Sequence, residues 1–340
     1  MLKRAIYCIF LKTIGLVAML CLFSNKQAKA SDPQFTQFYA APLYLNPAFA
    51  GAIDCWRAGV NYRNQWFLGN QPYTTYKAFV DHNLAATTRF RGGAGMYVFR
   101  DNPGAGNYTT YEIAPMVSYY LPLSQKHSLR FGLQPSYHLK YANFGNFVYG
   151  DQIDNVTGNI GATSDGQQLA GSRNIFDLST GVLLYNKNYW VGFAAHHLLN
   201  NPLLVDPKTS VLPMKLSLHA GYKFYLGDDE TSITPAVNVR SQWANLQADM
   251  GLYYEKRALI LGAWYRGLPF LGGAGFNTDM VAALVALRVN PFKIGYSYDL
   301  SLSKMSYTWG THELSIIYEF CFYYRKRPRP PMNVRMLPCP

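Results

Sequence analysis

Leu129-Arg130-Phe131-Gly132-Leu133-Gln134-Pro135-Ser136-Tyr137-His138-Leu139-Lys140 alternates strictly between apolar and polar or small residues. Successive side chains of a strand point to opposite faces, so this stretch has one apolar face and one polar face. It is also long. A strand of a soluble protein averages about 5–6 residues, whereas a tilted strand needs about 9–11 to cross a bilayer. Sliding its pairing by one residue would turn Arg130, His138 and Lys140 into lipid, at about 2–4 kcal/mol for each cation near the midplane. The pattern therefore predicts a membrane strand with a single permitted register.

The same alternation recurs at Met214–Phe224, Phe292–Asp299 and Leu314–Phe322. No stretch beyond the first thirty residues approaches the 20 apolar residues of a spanning helix; the longest, Met280–Leu287, is far too short. Strands are expected at 55–66, 74–83, 90–99, 107–121, 127–140, 174–185, 188–198, 212–226, 231–243, 245–255, 258–267, 279–289, 292–299 and 312–324. Fourteen is an even number, as single-chain bacterial barrels require, and closure leaves no unpaired backbone edge in hydrocarbon. Connections after even-numbered strands are short and those after odd-numbered strands mostly long, the asymmetry of periplasmic turns against outer loops. The ninth connection, near Ala244, breaks this rule, and a misplaced boundary is the expected cause. Aromatic pairs near strand ends (Trp66-Phe67, Tyr119-Tyr120, Tyr189-Trp190, Trp264-Tyr265, Tyr323-Tyr324) predict interfacial girdles. The fold class is thus all-β: a transmembrane antiparallel β-barrel of about fourteen strands.

Charge at first points elsewhere. The chain has 340 residues, 31 Lys and Arg against 19 Asp and Glu, and a formal net charge of +12, which would suit nucleic acid. Residues 1–30, however, have the three parts of a signal peptide: basic Lys3-Arg4, apolar Ile14–Phe23 and a small-residue site at Ala28-Lys29-Ala30. Lipid attachment at Cys21 is disfavoured by the bulky Leu20 before it. The leader takes five of the 31 basic residues and no acid, and Arg325, Lys326, Arg327, Arg329 and Arg335 form a tail. The body between is nearly neutral, so a nucleic-acid surface is excluded. The expected division is 1–30 signal peptide, 31–54 an N-terminal segment, 55–324 the barrel, and 325–340 a basic, Pro-rich periplasmic tail. Within that tail, Arg325, Lys326, Arg327 and Arg329 could dock an acidic periplasmic partner or merely stay solvated.

Catalytic and metal signatures are weak. His196 and His197 are adjacent, so on a strand they should face opposite ways, and His312-Glu313 likewise. No HExxH or Cys-x-x-Cys occurs, and no nucleophile, base and orienting group are singled out. The glycine-rich Arg91–Gly95 and Leu271–Gly275 lack a phosphate-loop lysine and read as kinks or bulges. No enzyme activity, cofactor or metal is expected. Cys55 opens the first strand and Cys321 lies late in the last, so closure would make them neighbours; a disulfide is permitted in an oxidising compartment. Cys339 is a competing partner, and an unpaired Cys321 is an equal alternative.

The segment Ser31-Asp32-Pro33-Gln34-Phe35-Thr36-Gln37-Phe38-Tyr39-Ala40-Ala41-Pro42-Leu43-Tyr44-Leu45-Asn46-Pro47-Ala48-Phe49-Ala50-Gly51 closely resembles the PorP/SprF family of the type IX secretion and gliding machinery. Tyr62-Arg63-Asn64-Gln65-Trp66, Gly295-Tyr296-Ser297-Tyr298-Asp299, Gly310-Thr311-His312-Glu313-Leu314-Ser315 and the final Cys339-Pro340 are further points of resemblance. The resemblance implies an outer-membrane protein of Bacteroidota, a partner of type IX components, that supports export or surface retention of large secreted proteins, gliding adhesins among them. The Asn-Pro-Ala at 46–48 also resembles the N-terminal hatch of FadL-type transporters, which are fourteen-stranded. That offers a second reading: a FadL-like transporter of small or hydrophobic solutes. From the residues themselves, 31–51 is apolar but broken by Pro33, Pro42 and Pro47, unsuited to a strand or long helix. It is expected to start in the periplasm and fold up into the lumen as a plug, packing Phe35, Phe38, Tyr39, Tyr44, Asn46 and Phe49. Residues 141–173, long and polar, are the expected outer contact.

Overall fold

The computed structural model describes residues 32–320, apart from 67–71, 85–89, 105–107, 143–147, 149, 154–156, 163–170, 203–210, 228–229, 243–244, 269–276 and 303–309. The expected leader, the basic tail with Arg325, Lys326, Arg327 and Arg329, and Cys321 lie outside the described residues. Fourteen strands alternate up and down: β1 (Trp56–Gln65), β2 (Tyr73–Asn83), β3 (Gly92–Asn102), β4 (Thr109–Pro122), β5 (Ser128–Ala142), β6 (Gly171–Tyr185) and β7 (Tyr189–His196). There follow β8 (Lys215–Tyr222, resumed at Phe224–Tyr225), β9 (Thr231–Gln242), β10 (Asn245–Lys256), β11 (Leu259–Leu268), β12 (Asn277–Val289), β13 (Phe292–Ser301) and β14 (Thr311–Phe320). Both pieces of β8 pair with β9, so they are one strand interrupted at Lys223. Each strand pairs antiparallel with the next, and β14 pairs back onto β1 from Trp56↔Phe320 to Gln65↔Thr311. The ring is closed.

Burial along β5 inverts that of a soluble strand. Phe131, Leu133 and Tyr137 are 44–46% exposed, while Arg130, Gln134, Ser136 and His138 are at most 3% exposed. Apolar side chains face out around the ring and polar ones face in, which is stable only with lipid outside. Alternation also splits the aromatic pairs expected to form girdles. Tyr119 and Tyr189 stay on the outer side, but Tyr120, Trp190 and Trp264 are buried in the lumen, because neighbours on a strand cannot share a face.

Two details correct the sequence reading. Gln242 pairs with Asn245, so the short ninth connection is real and no boundary slipped. His196 and His197 do not oppose one another: β7 ends at His196, and His197 has a left-handed backbone (φ 60°) that turns both rings inward, 6.4 Å apart. His312-Glu313 behaves as expected, with Glu313 fully buried and His312 half-buried on the outer side against Tyr296.

Candidate functional site: the lumen segment and its cavities

Residues 32–52 lie inside the ring. Three proline-broken turns, Phe38–Ala40, Pro42–Leu45 and Pro47–Phe49, give this piece its compact course. Asn46 caps the third turn, its Oδ1 accepting from the Ala48 N–H at 2.8 Å. Phe35, Tyr39, Asn46 and Phe49 are buried to 4% exposure or less, and Phe38 and Tyr44 pack against the same cluster. Phe38 meets Trp264 edge-on at 4.8 Å, Tyr39 meets Tyr253, and Phe49 stacks on His219.

The wall is shaped to receive this segment. Gly132 and Gly181 of β5 and β6 face Pro47-Ala48 and Asn46; a Cβ on either would collide with them. Asn46 then donates to the backbone carbonyls of Val182 and Phe193, both at 3.1 Å. The Ala50 carbonyl accepts from Ser118 Oγ (2.6 Å) and Arg130 (2.8 Å), and the Gly51 N–H donates to Asp81, which Arg57 holds at 2.8 Å.

Toward the end of the barrel bearing the long connections, charged groups take over. Glu313 accepts from the backbone N–H of Thr36 (2.8 Å) and Gln37 (3.1 Å) and pairs with Arg63 at 3.2 Å. Arg63 also reaches Asp299 at 2.9 Å, to which Thr36 Oγ1 donates. Gln37 donates to Ser297 Oγ and accepts from Ser315 Oγ. Buried ions need this many partners, since an isolated one would be neutralised or expelled. Lys77 is buried with no hydrogen-bond acceptor among the described residues, and sits over the rings of Phe35, Tyr44 and Phe79 at 4.8–5.5 Å. Cation–π attraction to those rings stabilises its ammonium.

Asp32 marks the far end of the segment. It accepts from Lys215 Nζ at 2.6 Å, faces His197 Nε2 at 2.8 Å, and donates its N–H to Gln242. His197 Nδ1 faces Asp177 at 2.6 Å, so the ring bridges two carboxylates as an imidazolium. Burial disfavours that charge, but the facing Asp32 and Asp177 carboxylates push the His197 pKa up to about 9. Burial likewise acts to raise the Asp32 carboxyl, yet the charges of His197 and Lys215 hold it well below the usual range. His138, Asp177 and His197 bring ligand-type atoms within 4.8 Å of one another, but His197 already spends both nitrogens on carboxylates.

Lys215, His197 and Gln242 all stand at the long-connection ends of β8, β7 and β9. The segment therefore starts at that end and descends to Asp54 beside the start of β1, opposite to the expected rise from the short-turn end. The reason is the anchor set: the cations that pair with Asp32 are at the far rim. Two cavities of about 510 and 620 Å³ flank Asp32 and Pro33 there. The first is lined by Arg63, Arg240 and Arg266, the second by Tyr97, Phe99 and Tyr108.

Four of the five stretches carrying the sequence resemblance meet at one place, through Thr36–Gln37, Arg63, Ser297–Asp299 and Glu313–Ser315, and the fifth, Cys339-Pro340, lies outside the described residues. Sequence reasoning singled out the stretches without their meeting point. Closure of β14 on β1, with β13 beside it, was the available signal. Asp32, Asp177 and Lys215 were missed, and His197 was weighed only as a metal or catalytic candidate, since nothing in spacing links the four. Cys55 is disulfide-bonded, and Cys321 lies outside the described residues.

Residues 27–318 match the family described as type IX secretion system membrane protein PorP/SprF. The chain belongs to this family. No curated protein matches it. Among solved structures it is similar to the Ralstonia pickettii toluene transporter TbuX, at 11% identity and TM-score 0.49, covering 84% of this chain and 94% of that one. A Pseudomonas aeruginosa FadL homologue gives 12% and 0.45, covering 81% and 93%. Acinetobacter baumannii Omp33 gives 9% and 0.44, covering 79% and 100%. The assignment of a closed fourteen-strand barrel to this PorP/SprF member stands on its own strand pairing.

Proposed function

We propose that this PorP/SprF protein is a non-enzymatic outer-membrane accessory of the type IX machinery that holds a large secreted protein at the cell surface or assists its export. The observation that carries the reading is the convergence of the family-resembling stretches on the lumen segment. They are spent on filling and bracing the lumen, so the barrel serves as a docking base closed by its own chain and not as a conduit for a folded cargo. The long connections, residues 141–173 above all, face outward and contact the secreted partner. The short turns and the 325–340 tail face the periplasm and the rest of the machinery. The leader at 1–30 directs export.

Deleting the gene and comparing surface proteomes tests this: one large surface protein is lost while general permeability is unchanged. An unchanged surface proteome would overturn the reading. A second reading, uptake of a small or apolar solute, is favoured by the aromatic cavity of about 620 Å³ beside the segment. Lost solute uptake with an intact surface proteome would select it. Truncation after Tyr324 tests the tail, whose docking role requires export to fall while the barrel still assembles.

A further inference from the structure

We infer that the cavity of about 620 Å³ at the long-connection end of the lumen is a binding site for an organic ammonium ion: a protonated amine carried on an apolar or aromatic body. The second reading above uses the same cavity, but occupancy by an amine requires neither uptake nor export, so a failed binding test leaves both readings of function standing.

Inward residues at the long-connection ends of β2 to β5 build one side of this cavity. Asp101 of β3 pairs with Thr110 of β4, and Phe99 with Glu112. Alternation therefore sets the Asp101 and Glu112 carboxylates on the inner face as diagonal neighbours, their Cβ atoms roughly 7 Å apart. Both are buried: Asp101 is 6% exposed and the Glu112 side chain 8%. A buried carboxylate needs a paired cation or a full set of donors, and these two have neither. Among the described residues Asp101 accepts from neutral donors alone, Tyr73 Oη and Thr75 Oγ1, each at 2.7 Å. Glu112 Oε1 accepts from Tyr97 Oη at 2.6 Å, while its Oε2 accepts no hydrogen bond among the described residues. His138 Nδ1 stands 3.9 Å from that oxygen, beyond hydrogen-bond reach.

The remaining charges of the lining do not fill that need. Asp32, Lys215 and His197, with Asp177 behind, balance one another. Lys140 Nζ stands 6.0 Å from the centre of the Tyr108 ring and pairs with no acid among the described residues. With His138 and His196 as neutral imidazoles, two carboxylates face one ammonium, and the lining is short of one positive charge. Its walls define the rest of the ligand. Tyr44, Tyr73, Tyr97, Phe99 and Tyr108 line the space, with Leu212 and Pro213 beside them. Ring faces attract a cation and also cover an apolar body. The lumen already uses this pairing where Lys77 sits over Phe35, Tyr44 and Phe79. A hard metal ion fits poorly, since Ca²⁺ takes about 6–8 oxygen ligands and aromatic faces supply none. Small-molecule sites run to about 300–1,000 Å³, so the volume suits an amine whose N–H groups reach Glu112 Oε2 and Asp101 while its body lies against the rings.

Isothermal titration calorimetry on the purified protein in detergent at pH 7 tests this with three probes that share a phenyl ring: 2-phenylethylamine, 2-phenylethanol and 3-phenylpropionate. The amine should bind at least about tenfold more tightly than the alcohol or the acid, since only it brings a charge-assisted hydrogen bond to the carboxylates. Glu112→Gln should weaken the amine by about tenfold or more and leave the alcohol unchanged. Lys140→Gln, which removes the like charge from the lining, should tighten the amine severalfold. Heat-modifiable migration shows that each variant is a folded barrel; if Glu112→Gln is not, Asp101→Asn supplies the same reading. Equal binding of amine and alcohol, tighter binding of the acid, or no binding of any probe overturns the inference. So does amine binding that both carboxylate substitutions leave unchanged.

Discussion

Replacing Asn46 by alanine should loosen the lumen segment without harming the barrel. Asn46 is fully buried and makes three hydrogen bonds: two donated to Val182 and Phe193 carbonyls and one accepted from Ala48 N–H. A neutral hydrogen bond is worth about 1 kcal/mol net, and alanine supplies no replacement inside the lumen, so docking weakens by about 3 kcal/mol. That is roughly a hundredfold rise in the undocked population. The outward faces of β6 and β7 and their strand pairing are untouched, so heat-modifiable migration should persist. Hydrogen exchange measured by mass spectrometry on peptides covering 44–52 is the assay. A rise of about two orders of magnitude there, with β6 and β7 still protected, is the expected outcome. Unchanged exchange in Asn46→Ala would refute the claim that this side chain anchors the segment.

Further outcomes follow from the same contacts. Gly132→Val puts a side chain into Pro47-Ala48 and should raise exchange over 46–50, whereas Gly150→Val, with open space around it, should not. The His197 charge contributes fully below its unfolded pKa of about 6.5 and is lost as pH rises through about 9. The depressed Asp32 contributes above about 3.8 and is lost as pH falls further. Protection of residues 32–37 should therefore be greatest between roughly pH 4 and 6.5, decline toward pH 9, and lose its alkaline limb in His197→Gln. If Cys321 is the partner of Cys55, as proposed from strand closure, Cys321→Ser should free the Cys55 thiol to alkylation under non-reducing conditions and Cys339→Ser should not.

The ring itself was legible because a lipid-facing wall imposes a strict rule on every strand: Leu129–Lys140 states its two faces in its spelling, and all fourteen strands fall close to where the alternation put them. The lumen residues Phe35 to Phe49 were legible for a related reason, being apolar, proline-broken and placed just before the first strand. The polar interior was not. Water, a counter-ion or a segment can satisfy an inward Arg63 or Asp177 equally well, so alternation gives only the face and never the partner. Direction failed for the same reason: Lys215 and His197 attract Asp32 to the far rim, and no local pattern connects residue 32 to residues 197 and 215. The His196-His197 pair shows how one left-handed backbone at a strand end undoes the two-residue rule.

The bond from the Thr36 N–H to Glu313 spans 277 residues of sequence. The first part of the mature chain to be made is therefore completed by the last strand to arrive. Contacts of such separation form late and slowly, since a large loop must close before they contribute. Until β14 is seated, the Thr36 and Gln37 N–H groups lack the Glu313 carboxylate, and Arg63 has Asp299 alone. A chain cut short of Glu313, or one with β14 out of register, would lose the bonds from the Thr36 and Gln37 N–H groups while Asp32 keeps Lys215 and His197. Occupancy of that one carboxylate thus depends on the final strand being in its place beside the first.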